Sequence, residues 1–167
     1  MPDSNIISFL TINCRGLQNY GKRKDMFDVL RKKENNIICL QDTHFASKEE
    51  KIVRSQWGAE HYFSPGRTNA RGVSILLSNN FEFKIIDIIK DDIGNLLALK
   101  INLENHFTLS LINIYGPNNE NPDFFNKIRD AIDAFMSDFI VLCGDWNLVL
   151  NPDIDYFNYN SVNNPKK

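Results

Sequence analysis

Between Tyr62 and Tyr115 the chain offers five strand-like segments in succession, with nothing helical among them: residues 62–64, 73–77, 83–89, 96–103 and 107–115. The polar stretches that separate them, residues 65–71, 78–80, 91–95 and 104–106, are turn-like and of hairpin length. Connections that short imply antiparallel pairing, because a parallel crossover needs a dozen or more residues. Before this run, residues 6–13 (IISFLTIN) read as a strand. Residues 22–35 carry Met26, Phe27 and Leu30 at helical spacing among charges, the pattern of an amphipathic helix. Residues 37–41 form a short continuous apolar run, expected of a strand buried on both faces. Ser47 and Glu50 have capping-box spacing ahead of Ile52, Val53 and Trp57, so a second helix is expected there. After the run, Asn121-Pro122 opens a third helix with a stripe of Phe124, Phe125, Ile128, Ile132 and Phe135, and residues 139–143 follow as one more buried strand. The expected fold class is α/β: a two-sheet β-sandwich flanked by helices, in preference to a doubly wound single sheet.

A chain of 167 residues that is 43% hydrophobic closes one core, so a single domain over 1–167 is expected. No apolar run is long enough to span a bilayer, so no membrane partner is expected. The opening MPDSN lacks the basic and apolar regions of a signal peptide, and an intracellular location, nucleus or cytoplasm, is expected. Cys14, Cys39 and Cys143 are odd in number and widely spaced, which suits reduced, buried thiols and neither a zinc module nor a disulfide scaffold. The net charge of −2 excludes nucleic-acid binding by bulk electrostatics alone. The charge is unevenly spread: residues 1–80 hold 12 Lys/Arg against 8 Asp/Glu, and the remainder 7 against 13, which permits a local basic surface.

The chemistry is sought where apolar strands run into polar clusters, since ligands of α/β folds sit at the carboxyl ends of strands. There are four such ends: Asn13-Cys14-Arg15-Gly16, Gln41-Asp42-Thr43-His44, Tyr115-Gly116-Pro117-Asn118 and Gly144-Asp145-Trp146-Asn147. Asp42 and Asp145 each follow an apolar strand, where a carboxylate is costly unless paired or bound to a cation. Converging with amide oxygens they make a hard-oxygen site suited to Mg²⁺. Each alone is equally a turn cap. Asp145 and Asn147 share a face in extended backbone, so a carboxylate that takes a proton lies beside an amide that holds a phosphate. Tyr115 donates to a phosphate oxygen or, with a lowered pKa, acts as a base, or it simply packs before the Pro-containing turn. His44 lies within reach of Asp42, whereas His61 and His106 sit in turn-like contexts. Lys22-Arg23-Lys24 and Arg31-Lys32-Lys33 read as a solvated helix face. Arg67 and Arg71, between strands, are better placed to touch a phosphodiester, or they are ordinary loop charges.

In their order, the Asn13 strand end, IICLQDTH, NIYGPN and VLCGDWN resemble the endonuclease/exonuclease/phosphatase domain, which includes apurinic endonucleases and deoxyribonucleases. FLTINCRGLQN, RGVSILLS and GDWNLVLNPDIDYFNYNSVNNPKK are most similar to the endonuclease of LINE-type (non-LTR) retrotransposons. The likeness runs from about Ile6 to Lys167. It implies a four-layer α/β-β/α sandwich, Mg²⁺ (or Mn²⁺) as cofactor, and double-stranded DNA as substrate, with nicking at a phosphodiester. Residue by residue, it implies that Asn13 and Asp42 hold the metal. Tyr115, Asp145 and Asn147 act at the reacting phosphate, and Asn118 lies near it; Arg71, chosen from its place in the loop, is a second substrate contact. Two departures stand out: Asp42 occupies the place of a Glu, and the family's later Asp and terminal Ser-Asp-His cluster have no counterpart after Asn147. The expectation is a C-terminally truncated domain with little activity of its own. A phosphodiesterase of the same fold acting on a lipid or small phosphate ester is the alternative, and a decayed non-enzymatic fragment a third reading.

Overall fold

The computed structural model describes residues 6–67, 69–103, 107–119 and 121–148. Eight strands and three helices follow one another in the order β1 (Phe9–Asn13), α1 (Tyr20–Lys32), β2 (Ile37–Gln41), α2 (Glu50–Trp57), β3 (His61–Ser64), β4 (Val73–Leu77), β5 (Phe83–Lys90), β6 (Leu96–Leu103), β7 (Thr108–Tyr115), α3 (Pro122–Phe135) and β8 (Phe139–Asp145). They build two four-stranded sheets, β1-β2-β4-β3 and β5-β6-β7-β8. The central pairings are antiparallel, and each sheet carries one parallel pair, β1 with β2 and β7 with β8, where a helix makes the crossover.

Side-chain alternation explains the layering. One face of β7 presents Leu109 and Leu111 to a core shared with Ile37 and Cys39 of β2, Val73, Ile75 and Leu77 of β4, and Leu97, Leu99 and Ile101 of β6. The other face, Ile112 and Ile114, packs on Phe124, Ile128, Ala131 and Phe135 of α3. On the far side Leu40 and Ile38 of β2 meet Phe27 and Leu30 of α1 and Val53 and Trp57 of α2. Four layers result, helices–sheet–sheet–helix, and the expected α/β-β/α sandwich is the fold observed.

Several local expectations are corrected. Helix α1 begins at Tyr20, two residues earlier than its apolar stripe suggests, because Asn19 caps it by accepting from Lys22 N at 3.0 Å. The turn before α2 is closed by Glu49, whose carboxylate accepts from Ala46 N at 2.9 Å, and neither Ser47 nor Glu50 serves. Arg23 is not on a solvated face: it is 4% exposed, donates to the carbonyls of Leu17 and Gln18, and lies over the Phe45 ring. Among the described residues, strand β8 is the edge of its sheet and not buried, with Phe139 and Ile140 exposed. Phe125 lies outside the core stripe of α3, half-exposed and stacked on Trp146. His61 is in β3, buried and stacked on Phe63. Cys14 and Cys39 are buried and Cys143 half-buried, all three as free thiols. His106 lies outside the described residues. Among the described residues no helix is long and apolar enough to cross a membrane.

Candidate active site

The inner faces of the two sheets are apolar until the carboxyl ends of β2, β7 and β8, where the same alternation delivers polar groups. On β7 the inward residues after Leu109 and Leu111 are Asn113 and Tyr115; on β8, after Cys143, comes Asp145; on β2, after Cys39, comes Gln41. Asn113 is fully buried and spans the sandwich. Its Nδ2 donates to the carbonyls of Leu40 at 3.0 Å and Ser74 at 2.8 Å, and its Oδ1 accepts from Gln41 Nε2 at 2.7 Å. These bonds fix the two sheets against each other directly below the site.

Above them the four polar strand ends converge in part. Asn13, at the end of β1 in the first sheet, donates from Nδ2 to Asp145 Oδ2 at 2.6 Å, at the end of β8 in the second. The other carboxylate oxygen, Oδ1, accepts from Asn147 N at 2.9 Å, and Asn147 Nδ2 donates to Gly116 O at 2.7 Å. Asp145 is thereby held through both oxygens, by Asn13 from the opposite sheet and by Asn147 from the loop after its own strand. Two glycines let the backbones close this far: a Cβ on Gly144 would lie 2.0 Å from Ile114 O, and one on Gly116 would lie 2.1 Å from Trp146 O.

Asp42 follows β2 with φ +54° and accepts at Oδ1 from His44 Nε2 at 2.9 Å and from Arg71 N at 3.1 Å. His44 therefore does reach the site; its ring lies so near Gly16 that a Cβ there would stand 2.8 Å from Nδ1. Burial pushes the Tyr115 hydroxyl above its usual value, the Asp42 charge and, less strongly, the Asp145 charge push the same way, and Asn147 and Arg71 pull against them. That direction favours the protonated hydroxyl, the form that donates a hydrogen bond. Arg71 Nη1 donates to Asn95 Oδ1 at 2.9 Å. Asn118 is exposed on the loop after Tyr115.

The donor chemistry suits a magnesium-like ion held lightly. Among the described residues no three His, Cys, Asp or Glu side chains cluster as a closed cage. Asp42 and Asp145 offer hard carboxylate oxygens and Asn13 an amide oxygen, and Mg²⁺ uses one or two carboxylates while keeping several waters. Both hydrogen bonds described at Asp42 go to Oδ1, which leaves Oδ2 for an ion. Asn13 differs from expectation in one respect: its amide N–H group is spent on Asp145, and its Oδ1 already accepts from Arg15 N at 3.0 Å. Sequence reasoning missed Asn95 and Asn113, and it placed Gln41 in a polar strand end without a role of its own. A signal for Asn113 was present, since it interrupts the apolar inward row of TLSLINIY.

Comparison with known proteins agrees with this fold. The fold is similar to the AP endonuclease LMAP from Leishmania major, with a TM-score of 0.67 and 14% identity over 91% of this chain and 58% of that one. It is also similar to the APE2 catalytic domain from Xenopus laevis, with a TM-score of 0.62 and 16% identity over 92% of this chain and 62% of that one. TDP2 from Caenorhabditis elegans matches with a TM-score of 0.58 and 17% identity over 86% of this chain and 48% of that one. The chain thus spans about half to three-fifths of the length of these solved relatives. Its sequence matches the Endonuclease/Exonuclease/phosphatase family over residues 10–164. The chain is a member of the endonuclease/exonuclease/phosphatase family.

Proposed function

We propose that this domain takes part in Mg²⁺-dependent hydrolysis of phosphodiester bonds in double-stranded DNA, as the nicking endonuclease domain of a LINE-type retrotransposon. The observation that carries the reading is the Asn13–Asp145–Asn147 arrangement, in which a carboxylate is fixed from both sheets at the mouth of the sandwich. Asp42 and the amide oxygen of Asn13 would hold Mg²⁺ (Mn²⁺ serving equally), which offsets negative charge on the phosphate when bound. Asp145, held still by two donors, orients the attacking water and takes its proton. The Tyr115 hydroxyl and the Asn147 amide donate to phosphate oxygens, and Asn118 and Arg71 contact the substrate strand. The LINE assignment is supported by FLTINCRGLQN, RGVSILLS and the GDWN run.

The test is calorimetric first. Titration with Mg²⁺ should show uptake that Asp42→Ala abolishes, and undiminished uptake by the variant would refute the metal assignment. Relaxation of supercoiled plasmid should be Mg²⁺-dependent and lowered by ~10²-fold or more in Asp145→Asn, the scale of general-base loss. Nicking that survives Asp145→Asn unchanged would refute the role of that residue. Competition by small phosphate esters in place of duplex DNA would move the substrate to the lipid or small-ester class.

A further inference from the structure

The guanidinium of Arg71 is held by a residue that lies in none of the four polar strand ends. Asn95 precedes β6 and is 3% exposed. Its Oδ1 accepts from Arg71 Nη1 at 2.9 Å, and its Nδ2 donates to the carbonyl of Tyr115. Its own carbonyl accepts from Tyr115 N at 2.9 Å, and its N–H donates to the Asp91 carboxylate at 3.0 Å. On the opposite side Arg71 N donates to Asp42 Oδ1, and the Arg71 carbonyl accepts from His44 N at 2.8 Å. A continuous series of hydrogen bonds therefore joins Asp42 in the first sheet to Tyr115 in the second. It passes through one residue from each of two connections, β3–β4 and β5–β6. The two connections touch backbone to backbone: Gly72 N donates to Gly94 O at 3.1 Å, and a Cβ on Gly94 would meet Gly72 N at 2.5 Å.

We propose that Asn95 is a positioning residue: its amide, itself fixed against the Tyr115 strand end, orients the Arg71 guanidinium toward a phosphate of the bound strand. This rests on the reading of Arg71 as a phosphate contact. A guanidinium carries five N–H donors in one fixed plane, so a single bond to Asn95 sets the plane and leaves the rest of the fork for an anion. The amide is suited to this where a carboxylate is not. A neutral acceptor leaves the arginine its charge, whereas a carboxylate in its place would pair with Arg71 and would face the Tyr115 carbonyl without a donor.

The experiment measures binding of a short fluorescent DNA duplex by anisotropy, without divalent ion, across a series of salt concentrations. Wild type, Arg71→Ala, Asn95→Ala, the double variant and Arg71→Lys are compared. Arg71→Ala should lower the slope of log affinity against log salt by about 0.9, the loss of one phosphate contact. Asn95→Ala should weaken binding by about tenfold, the loss of one well-placed charged contact, and lower the slope in the same direction. In the Arg71→Ala background the same Asn95 substitution should change affinity by less than about twofold, because its effect runs through the missing guanidinium. Arg71→Lys, which keeps the charge and is less exposed to folding defects, should retain the slope yet bind more weakly. Equal losses from Asn95→Ala in both backgrounds, or an unchanged slope in Arg71→Ala, would overturn the proposal while leaving the nuclease reading intact. A folded wild-type chain that binds no duplex at any salt would remove both.

Discussion

Replacing Asn113 with alanine deletes the group that joins the two sheets beneath the site. Three hydrogen bonds are lost, at 2.7, 2.8 and 3.0 Å, all fully buried. Each is worth about 1 kcal/mol net, and a buried partner left unpaired costs about 1–3 kcal/mol. Gln41 Nε2 retains Thr11 Oγ1 at 2.9 Å, which softens one of the three losses. The expected penalty is about 3 kcal/mol, equivalent to a fall in Tm of about 6–12 °C for a chain of this size. The informative companion is Asn113→Leu, which restores the volume and not the hydrogen bonds. If the amide matters for its bonds, leucine is nearly as destabilising as alanine, because Leu40 O, Ser74 O and Gln41 Nε2 remain without it. Urea unfolding followed by tryptophan fluorescence gives both free energies. A leucine variant as stable as wild type, or an alanine variant within about 0.5 kcal/mol of it, would show that Asn113 only fills space.

Two further outcomes follow from the packing. Burial holds the His61 imidazole neutral, its pKa lowered from 6.5 to about 3 by desolvation first and the Arg54 charge second. The unfolded chain therefore binds one more proton than the folded one between these values. Stability contributed by the neutral ring is complete above about pH 6.5 and falls by about 1.4 kcal/mol per unit as the pH drops toward 3. Chemical denaturation at pH 7 and pH 5 should show a shallower loss in His61→Phe than in wild type, and identical slopes would refute the assignment. Gly144→Ala places a methyl 2.0 Å from Ile114 O at φ +139°, so β7 and β8 must part. A cost near the top of the ~1–3 kcal/mol range for overpacking is expected, and an unchanged thermal midpoint would contradict it.

The bounds of β4 and β6 are those that the sequence pattern predicts, because both are largely apolar runs closed by polar turns at each end. The layering was legible for the same reason: short turns forced antiparallel neighbours, and helical stripes on both sides needed a sheet face each. Burial was less legible. The run FIVLC reads as a central strand, yet an apolar run does not say how many neighbours a strand has, and β8 lies at an edge. Arg23 looked like part of a charged face because a guanidinium that satisfies backbone carbonyls leaves no trace in residue order. At the site, Asp42, Tyr115, Asp145 and Asn147 are visible as polar punctuation after apolar strands. The closeness of Arg71 to Asp42 arises from a backbone N–H, which any residue supplies, and Asn95 passes for an ordinary turn residue. Such partners are found only once the hairpin connections are folded over one another.

The split of Asn13 and Asp145 between separate sheets makes their contact a gauge of how the halves of the molecule are aligned. One residue step along a strand is about 3.3 Å. Slippage of even a fraction of that takes a 2.6 Å contact out of reach. Repacking of the distant interior that shears one half past the other should thus register first as loss of this contact, well before the protein melts.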